Sequence, residues 1–170
     1  MTYDEFRKLA QNGDLLFLEV DQNDILSKIG GTIVSWATGS TFSHVAMVFW
    51  YKDRLMLVES APSSGVRLVN ASIYDGRSIT RVAAPKSWDS VEASALQKLG
   101  VVKYGWTSAI WIGFRDIMFI HFGIKLNQDT TNRNLVCSEF VAEILGLDET
   151  DIPPSMLYQI LTNPTNPTNI

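Results

Sequence analysis

The sequence predicts an α+β fold in which an antiparallel sheet packs against helices, and three features indicate it. Short stretches with the composition of β-strands follow one another between residues 13 and 84. Two of them are separated only by Lys52 and Asp53, which predicts a tight hairpin. Amphipathic stretches of helical periodicity lie before and after this region. We therefore expect the sheet to form in the first half of the chain and the helices to cover it.

The individual elements can be predicted from local patterns, in chain order. A short charged helix opens the chain, and the apolar stretch at residues 13–20 is expected to form the first strand. Residues 23–40 begin with an Asn or Asp cap and are expected to be helical, although two adjacent glycines weaken the middle. The further strands are expected at residues 41–51, 54–61, 65–71 and 78–84, and a short amphipathic helix at residues 90–100.

The stretch at residues 104–126 is apolar enough to raise the question of a membrane span. Arg115 and Asp116 stand at its centre, where charges cost several kcal/mol in a bilayer. Ile110, Phe114 and Met118 recur at helical spacing, so we expect a packed or partly exposed helix and no transmembrane span. Such a helix could also shape a pocket for an acyl chain or contact a membrane surface peripherally.

Composition limits the possible functions of the chain. With 170 residues, 46% of them hydrophobic, we expect one domain over residues 1–161 and a flexible Asn-Pro-Thr tail over residues 162–170. One cysteine and two histidines exclude an internal disulfide and leave little material for a metal centre, so no cofactor is expected. A net charge of -4 without a Lys/Arg cluster gives no footprint for nucleic acid. The N-terminus has no apolar signal-peptide core, which favours a cytoplasmic location, with export by another route or virion association left open.

Cys137 is the only cysteine, and it is either a small core residue or a nucleophile. Asn134 is expected to cap a helix that has apolar residues at helical spacing and is closed by Gly146. Cys137 would then lie in the first turn, on the apolar face. Unpaired backbone N–H groups and the helix dipole favour a thiolate there, and the same groups could bind an oxyanion. Both interpretations fit this location.

His44 is the best candidate for a base, because it lies within an apolar strand. If Lys52 and Asp53 form the two-residue turn, the hairpin register places Ala46 opposite Glu59. Glu59 is then diagonal to His44, on the same face, with Cβ atoms ~7 Å apart or less. A carboxylate on an otherwise apolar face needs a partner, and His44 is the obvious one. A packed His–Glu pair without catalytic function remains the alternative.

His121 is a second candidate base. It lies on the apolar face of the helix expected at residues 104–126. A histidine packed on such a face is more often structural, so we prefer His44.

Five stretches in order resemble a known family. They are "GDLLF", "TFSHVAMV", "LVESAPSSGVRLV", "LGVVKYGW" and "VCSEFVAEIL". Together they look like the motifs of the YiiX/YaeF-like cysteine hydrolases, the circularly permuted branch of the NlpC-type, papain-like superfamily. The resemblance covers roughly residues 13–145. It implies a papain-like fold with the nucleophile at a helix N-terminus.

By this resemblance Cys137 corresponds to the nucleophile, His44 to the base and Glu59 to the residue that orients the base. Tyr104 matches a family tyrosine near the active site and is a candidate substrate-binding residue. The expected function is hydrolysis of an amide, for example in a cell-wall peptide, through a thioester acyl-enzyme. The alternatives are a lipid or ester acyl hydrolase or acyltransferase on the same triad, and a non-catalytic structural module of a larger assembly such as a phage particle.

Overall fold

The computed structural model describes residues 1–20, 41–62, 64–105, 135–147 and 152–163. The helix expected at residues 23–40 lies outside these residues, as does the helix expected at residues 104–126 beyond Gly105, together with His121. Asn134 and residues 164–170 of the expected tail also lie outside them. The candidate site residues other than His121 are all among the described ones.

The described residues form an α+β structure with one antiparallel sheet. The helices are α1 (Tyr3–Leu9), α2 (Trp88–Gln97), α3 (Cys137–Leu145) and α4 (Pro154–Thr162), with a single-turn 3-10 helix at Ala71–Tyr74. The strands are β1 (Leu15–Glu19), β2 (Phe42–Tyr51), β3 (Arg54–Ala61), β4 (Gly65–Asn70) and β5 (Ile79–Val82). The sheet order is β4-β3-β2-β1-β5, and each neighbouring pair is antiparallel.

The predicted hairpin register is confirmed. Tyr51 pairs with Arg54 across the two-residue turn, in which Lys52 has a positive φ of 57°. The paired residues of β2 and β3 run from this point to Met47 opposite Val58. Positive φ values at a two-residue turn match the right-handed twist of the flanking strands, so the local sequence is enough to fix the register.

The sheet carries a core on each face. One cluster, on the face of Phe17, Met47 and Val58, is packed against α3 and α4 through residues such as Phe140 and Leu157. The other cluster combines alternate residues of the same strands, such as Leu16 and Leu57, with Tyr3 and Phe6 of α1. Because successive strand residues point to opposite faces, strands covered on both sides are apolar throughout.

Phe42 departs from the expected alternation. Strict alternation along β2 would place Phe42 on the face of His44, but Phe42 packs in the cluster of Phe17 on the other face. The pairing of β1 with β2 is irregular here: Leu18 pairs with His44, whereas Glu19 pairs with Phe42. The additional residue, Ser43, is a β-bulge, and a bulge changes the face on which the preceding side chain lies.

Helix α4 is an element that the sequence patterns did not predict. It begins with Pro154, which suits a first helical turn because the missing N–H has no intrahelical partner there. The ring centroid of its Tyr158 lies 5.4 Å from that of Phe17 and 4.8 Å from that of Phe42.

Within the parts of the chain that the structure describes, no helix combines the length and apolar character that a membrane crossing requires.

Candidate active site

Cys137 is the first residue of α3, as the sequence predicts, but the helix is capped differently. The N-cap is Val136, so Asn134 stands too early in the chain to cap this helix, and that prediction is wrong. The carboxylate of Glu139 instead accepts a hydrogen bond from the Val136 N–H at 2.9 Å. Gly146 ends the helix in the left-handed conformation, φ 66°, as expected. The thiol therefore lies where helix N–H groups lack intrahelical partners.

Two buried serines fix the beginning of α3 to its surroundings. The hydroxyl of Ser60, next to Glu59 in β3, donates to the carbonyl of Leu135 at 2.6 Å. The hydroxyl of Ser138 donates to the carbonyl of Ile152, just before α4. The beginning of α3 is thus held from both sides, and Cys137 is buried, with 6% of the residue exposed.

His44 and Glu59 are in direct contact, which confirms the register argument. The Nε2 atom of His44 lies 2.8 Å from Oε2 of Glu59. Their alternation in β2 and β3 places both on the face of Leu16 and Leu57, opposite the cluster that contains Cys137. Both residues stand just beyond Met47 and Val58, the last paired residues of β2 and β3.

Cys137 lies close to His44. Its side chain raises the pKa of the imidazole, by charge and by hydrogen bonding. Since Nε2 of the imidazole is bonded to Glu59, Nδ1 is the ring nitrogen available to the thiol. The structure thus brings Cys137, His44 and Glu59 together, with the imidazole hydrogen-bonded to the carboxylate and close to the thiol.

Glu59 has two further partners that the sequence analysis did not identify. Arg67 donates to its Oε1 from Nε at 2.8 Å and from Nη2 at 2.7 Å. The hydroxyl of Tyr74 donates to its Oε2 at 2.7 Å. Arg67 stands directly opposite Glu59 in the β3–β4 ladder, so working out the second hairpin would have found it. Tyr74 lies in the 3-10 helix, and no local pattern predicts its contact.

Hydrogen bonds and neighbouring charges favour the ionised forms of Glu59 and His44. Burial alone would raise the pKa of Glu59, but hydrogen bonding and charge from His44, followed by bonds from Tyr74 and Arg67, lower it to about 2. Burial alone would lower the pKa of His44, but the charge and hydrogen bond of Cys137, and then those of Glu59, raise it from 6.5 to about 10. An ionised Glu59 only accepts hydrogen bonds, so Nε2 of His44 carries the proton between them.

Tyr104 is paired with Leu135, two residues before Cys137. It forms an isolated parallel bridge with Leu135, in which Leu135 N–H donates to the Lys103 carbonyl and Gly105 N–H to the Leu135 carbonyl, both at 3.3 Å. Burial raises the pKa of the half-buried Tyr104, and the charges of Cys137 and Glu139 raise it further. Cys137, His44, Glu59 and Tyr104 therefore lie in one region of the fold.

Comparison with known proteins assigns no family. A scan against protein-family models finds no match, and a search of the curated proteins finds none either. Among the described residues, no group of three or more His, Cys, Asp and Glu side chains is arranged to hold a metal ion. The geometry itself defines the class of site: a thiol at a helix start, an imidazole and a buried, hydrogen-bonded carboxylate.

Proposed function

We propose that this chain is a cysteine hydrolase with a circularly permuted, papain-like fold. The observation that carries the proposal is the 2.8 Å contact of His44 with the buried Glu59, with the Cys137 side chain close enough to the same imidazole to raise its pKa. A nucleophile, a base and a group that orients the base are recognised by this geometry whatever their order in the chain. A packed structural cysteine requires neither the helix start nor the imidazole.

The proposed reaction is acyl transfer to water. His44 takes the proton of the Cys137 thiol, and the thiolate attacks the carbonyl carbon of the substrate. The tetrahedral intermediate collapses to a thioester, and the imidazolium gives its proton to the departing amine. Water then attacks the thioester while His44 accepts its proton, and the thiol leaves with that proton as the acid is released. The Nε2 proton of His44 stays on the imidazole, hydrogen-bonded to Glu59, throughout the reaction. Nδ1 is therefore the atom that exchanges protons with the thiol, the amine and water.

The N-terminal turn of α3 supplies the proposed oxyanion site. Its first backbone N–H groups have no intrahelical acceptor and can stabilise the charge that develops on the carbonyl oxygen. Tyr104, bridged to Leu135 just before Cys137, is the proposed substrate-binding residue. The proposed substrate is an amide, and the family resemblance suggests a cell-wall peptide.

An electrophilic probe and two acetyl donors test this proposal. We expect an alkyne-bearing iodoacetamide to add once to the parent protein, at Cys137, and far more slowly to the His44→Ala variant. With p-nitrophenyl acetate, intact mass should show an acetyl thioester on Cys137. Replacing His44 should lower turnover by about 10²- to 10⁴-fold, the usual contribution of a general base.

The outcomes separate the alternatives. Cleavage of p-nitroacetanilide supports an amidase, whereas turnover confined to the ester supports an ester or lipid acyl hydrolase on the same triad. Slow, equal labelling of both folded proteins, without an acetyl adduct, would show a non-catalytic module.

A further inference from the structure

The carboxylate of Glu59 is held by more hydrogen bonds than a pair with His44 requires. Glu59 is 0% exposed and accepts two hydrogen bonds on each oxygen. A carboxylate has about four lone-pair positions, so all of them are used. The partners come from three different elements: β2, β4 and the 3-10 helix at Ala71–Tyr74.

Arg67 acts on one oxygen only. Both of its donors contact Oε1, which leaves Oε2 for His44 and Tyr74. The guanidinium is fixed in place by the β3–β4 register and is 38% exposed, so its outer edge keeps contact with solvent. Arg67 thereby compensates the buried negative charge without competing for the oxygen that faces His44.

Tyr74 contacts both members of the pair. Its hydroxyl shares Oε2 with the imidazole, and its ring lies against the ring of His44, with centroids 5.8 Å apart and planes at 45°. The 3-10 helix that carries it is capped by Asn70, whose side chain accepts a hydrogen bond from Ser72 N–H at 3.0 Å. Tyr74 therefore restricts rotation of the carboxylate and of the imidazole together.

We infer that Arg67 and Tyr74 are positioning residues, which hold Glu59 ionised and oriented so that His44 keeps the correct tautomer for Cys137. The inference rests on the proposed hydrolase function. Both donate hydrogen bonds to the Glu59 carboxylate, and each acts on His44 through it.

The charge network makes this role measurable as a pH dependence. Among the described residues, the titratable groups that contact Glu59 are His44 from β2, Arg67 from β4 and Tyr74 from the 3-10 helix, and Cys137 of α3 acts through His44. Removing the Arg67 charge raises the pKa of Glu59, since a nearby opposite charge lowers a carboxyl pKa by about 1–3 units. A protonated Glu59 no longer stabilises the imidazolium, so thiolate reactivity is lost earlier as the pH falls.

The test follows iodoacetamide labelling of Cys137 against pH in the Arg67→Met, Arg67→Lys and Tyr74→Phe variants. For Arg67→Met we expect the acid side of the profile to move to higher pH, by no more than the ~1–3 units by which the Glu59 pKa rises. Arg67→Lys keeps the charge and should restore most of the parent profile. Tyr74→Phe keeps the ring but loses one hydrogen bond, and labelling near neutral pH should slow by about two- to tenfold.

Arg81→Met is the matched control. Arg81 donates to the buried carboxylate of Asp14 at 2.6 Å, on the side of the sheet formed by β1 and β5. The Arg81→Met variant loses a comparable ion pair, Arg81–Asp14, which is not part of the candidate site. Stability should therefore fall while the labelling profile stays that of the parent. Folding of each variant is checked by circular dichroism.

The outcomes distinguish this inference from the proposed function. A parent that labels rapidly through His44, together with Arg67→Met and Tyr74→Phe profiles identical to it, overturns the positioning role and leaves the hydrolase proposal standing. A parent with slow labelling that does not depend on His44 overturns both. If Arg67→Met does not fold, Tyr74→Phe decides: slowed labelling supports the inference, and parent-like labelling refutes it.

Discussion

Cys137 combines two properties that are usually alternatives for a cysteine. Its side chain is buried in the cluster of Phe140 and Val141, as a core cysteine would be. It also stands at a helix start and close to His44, whose pKa it raises, as a nucleophile would. Packing of the apolar face of α3 against the sheet also places the thiol near the imidazole. Cys137 therefore contributes to the core and to the candidate site at once.

Replacing Cys137 by alanine should separate these properties. We expect Cys137→Ala to abolish hydrolysis of p-nitrophenyl acetate but to lower the free energy of unfolding by only about 1 kcal/mol, because a small side chain leaves a small cavity. Leu145→Ala, in the same helix, is the control and should cost about 2–5 kcal/mol while Cys137 still reacts in the folded protein. Denaturant unfolding and turnover measured on the same samples provide the comparison. A large stability loss for Cys137→Ala with activity retained would establish a core role.

At the scale of elements, the connection after α2 is bound to the start of β4. Val66 N–H donates to the Val102 carbonyl, and Gly100 N–H donates to the Val66 carbonyl, both at 2.9 Å. This segment continues into Tyr104, so its position affects the candidate site. Gly65 makes the approach possible: its φ is +68°, and an added Cβ would lie 2.3 Å from the Val102 oxygen.

Two glycine substitutions test this contact. Gly65→Ala must tolerate a left-handed backbone and displace the segment, so we expect a stability loss of more than about 2 kcal/mol together with altered labelling of Cys137. Gly76→Ala is the matched control, because Gly76 also has a positive φ, +81°, but an added Cβ meets nothing within 4 Å. It should cost only about 1–2 kcal/mol of backbone strain and leave labelling unchanged. Equal effects of the two variants on stability and labelling would rule out the close contact as the cause.

At the scale of the whole molecule, the site couples folding to pH through two opposite shifts. The pKa of Glu59 falls from 4.5 to about 2, so its contribution to stability is present above pH 4.5 and is lost as the pH falls toward 2. The pKa of His44 rises from 6.5 to about 10, so its contribution is present below pH 6.5 and is lost as the pH rises toward 10. The two contributions are both complete between pH 4.5 and 6.5.

Unfolding measurements across this range test the coupling. We expect the free energy of unfolding of the parent to be highest between pH 4.5 and 6.5. The Glu59→Gln variant should be less stable than the parent. Its free energy of unfolding should also fall less steeply below pH 4.5, because no carboxylate is left to protonate at this position. His44→Ala should flatten the decline on the alkaline side. Variants whose stability differs from that of the parent by the same amount at every pH would show that neither group is shifted in the folded state.

Local sequence was sufficient for the hairpin that builds the site. Lys52 and Asp53 form the turn, and strict alternation along the two strands then puts His44 and Glu59 on one face. Both facts depend on neighbouring residues only, because a two-residue turn leaves one register and a strand has a period of two. The start of α3 at Cys137 is predictable for the same reason, although its capping residue is not.

The antiparallel sheet, the His44–Glu59 pair and the position of the thiol at a helix start could thus be predicted from the amino-acid sequence. The tertiary structure was needed to show that Cys137 comes close to His44 and that Tyr74, from the 3-10 helix, donates to the Glu59 carboxylate. These contacts join residues of separately packed elements. Their geometry depends on how whole elements dock, which periodicity does not encode.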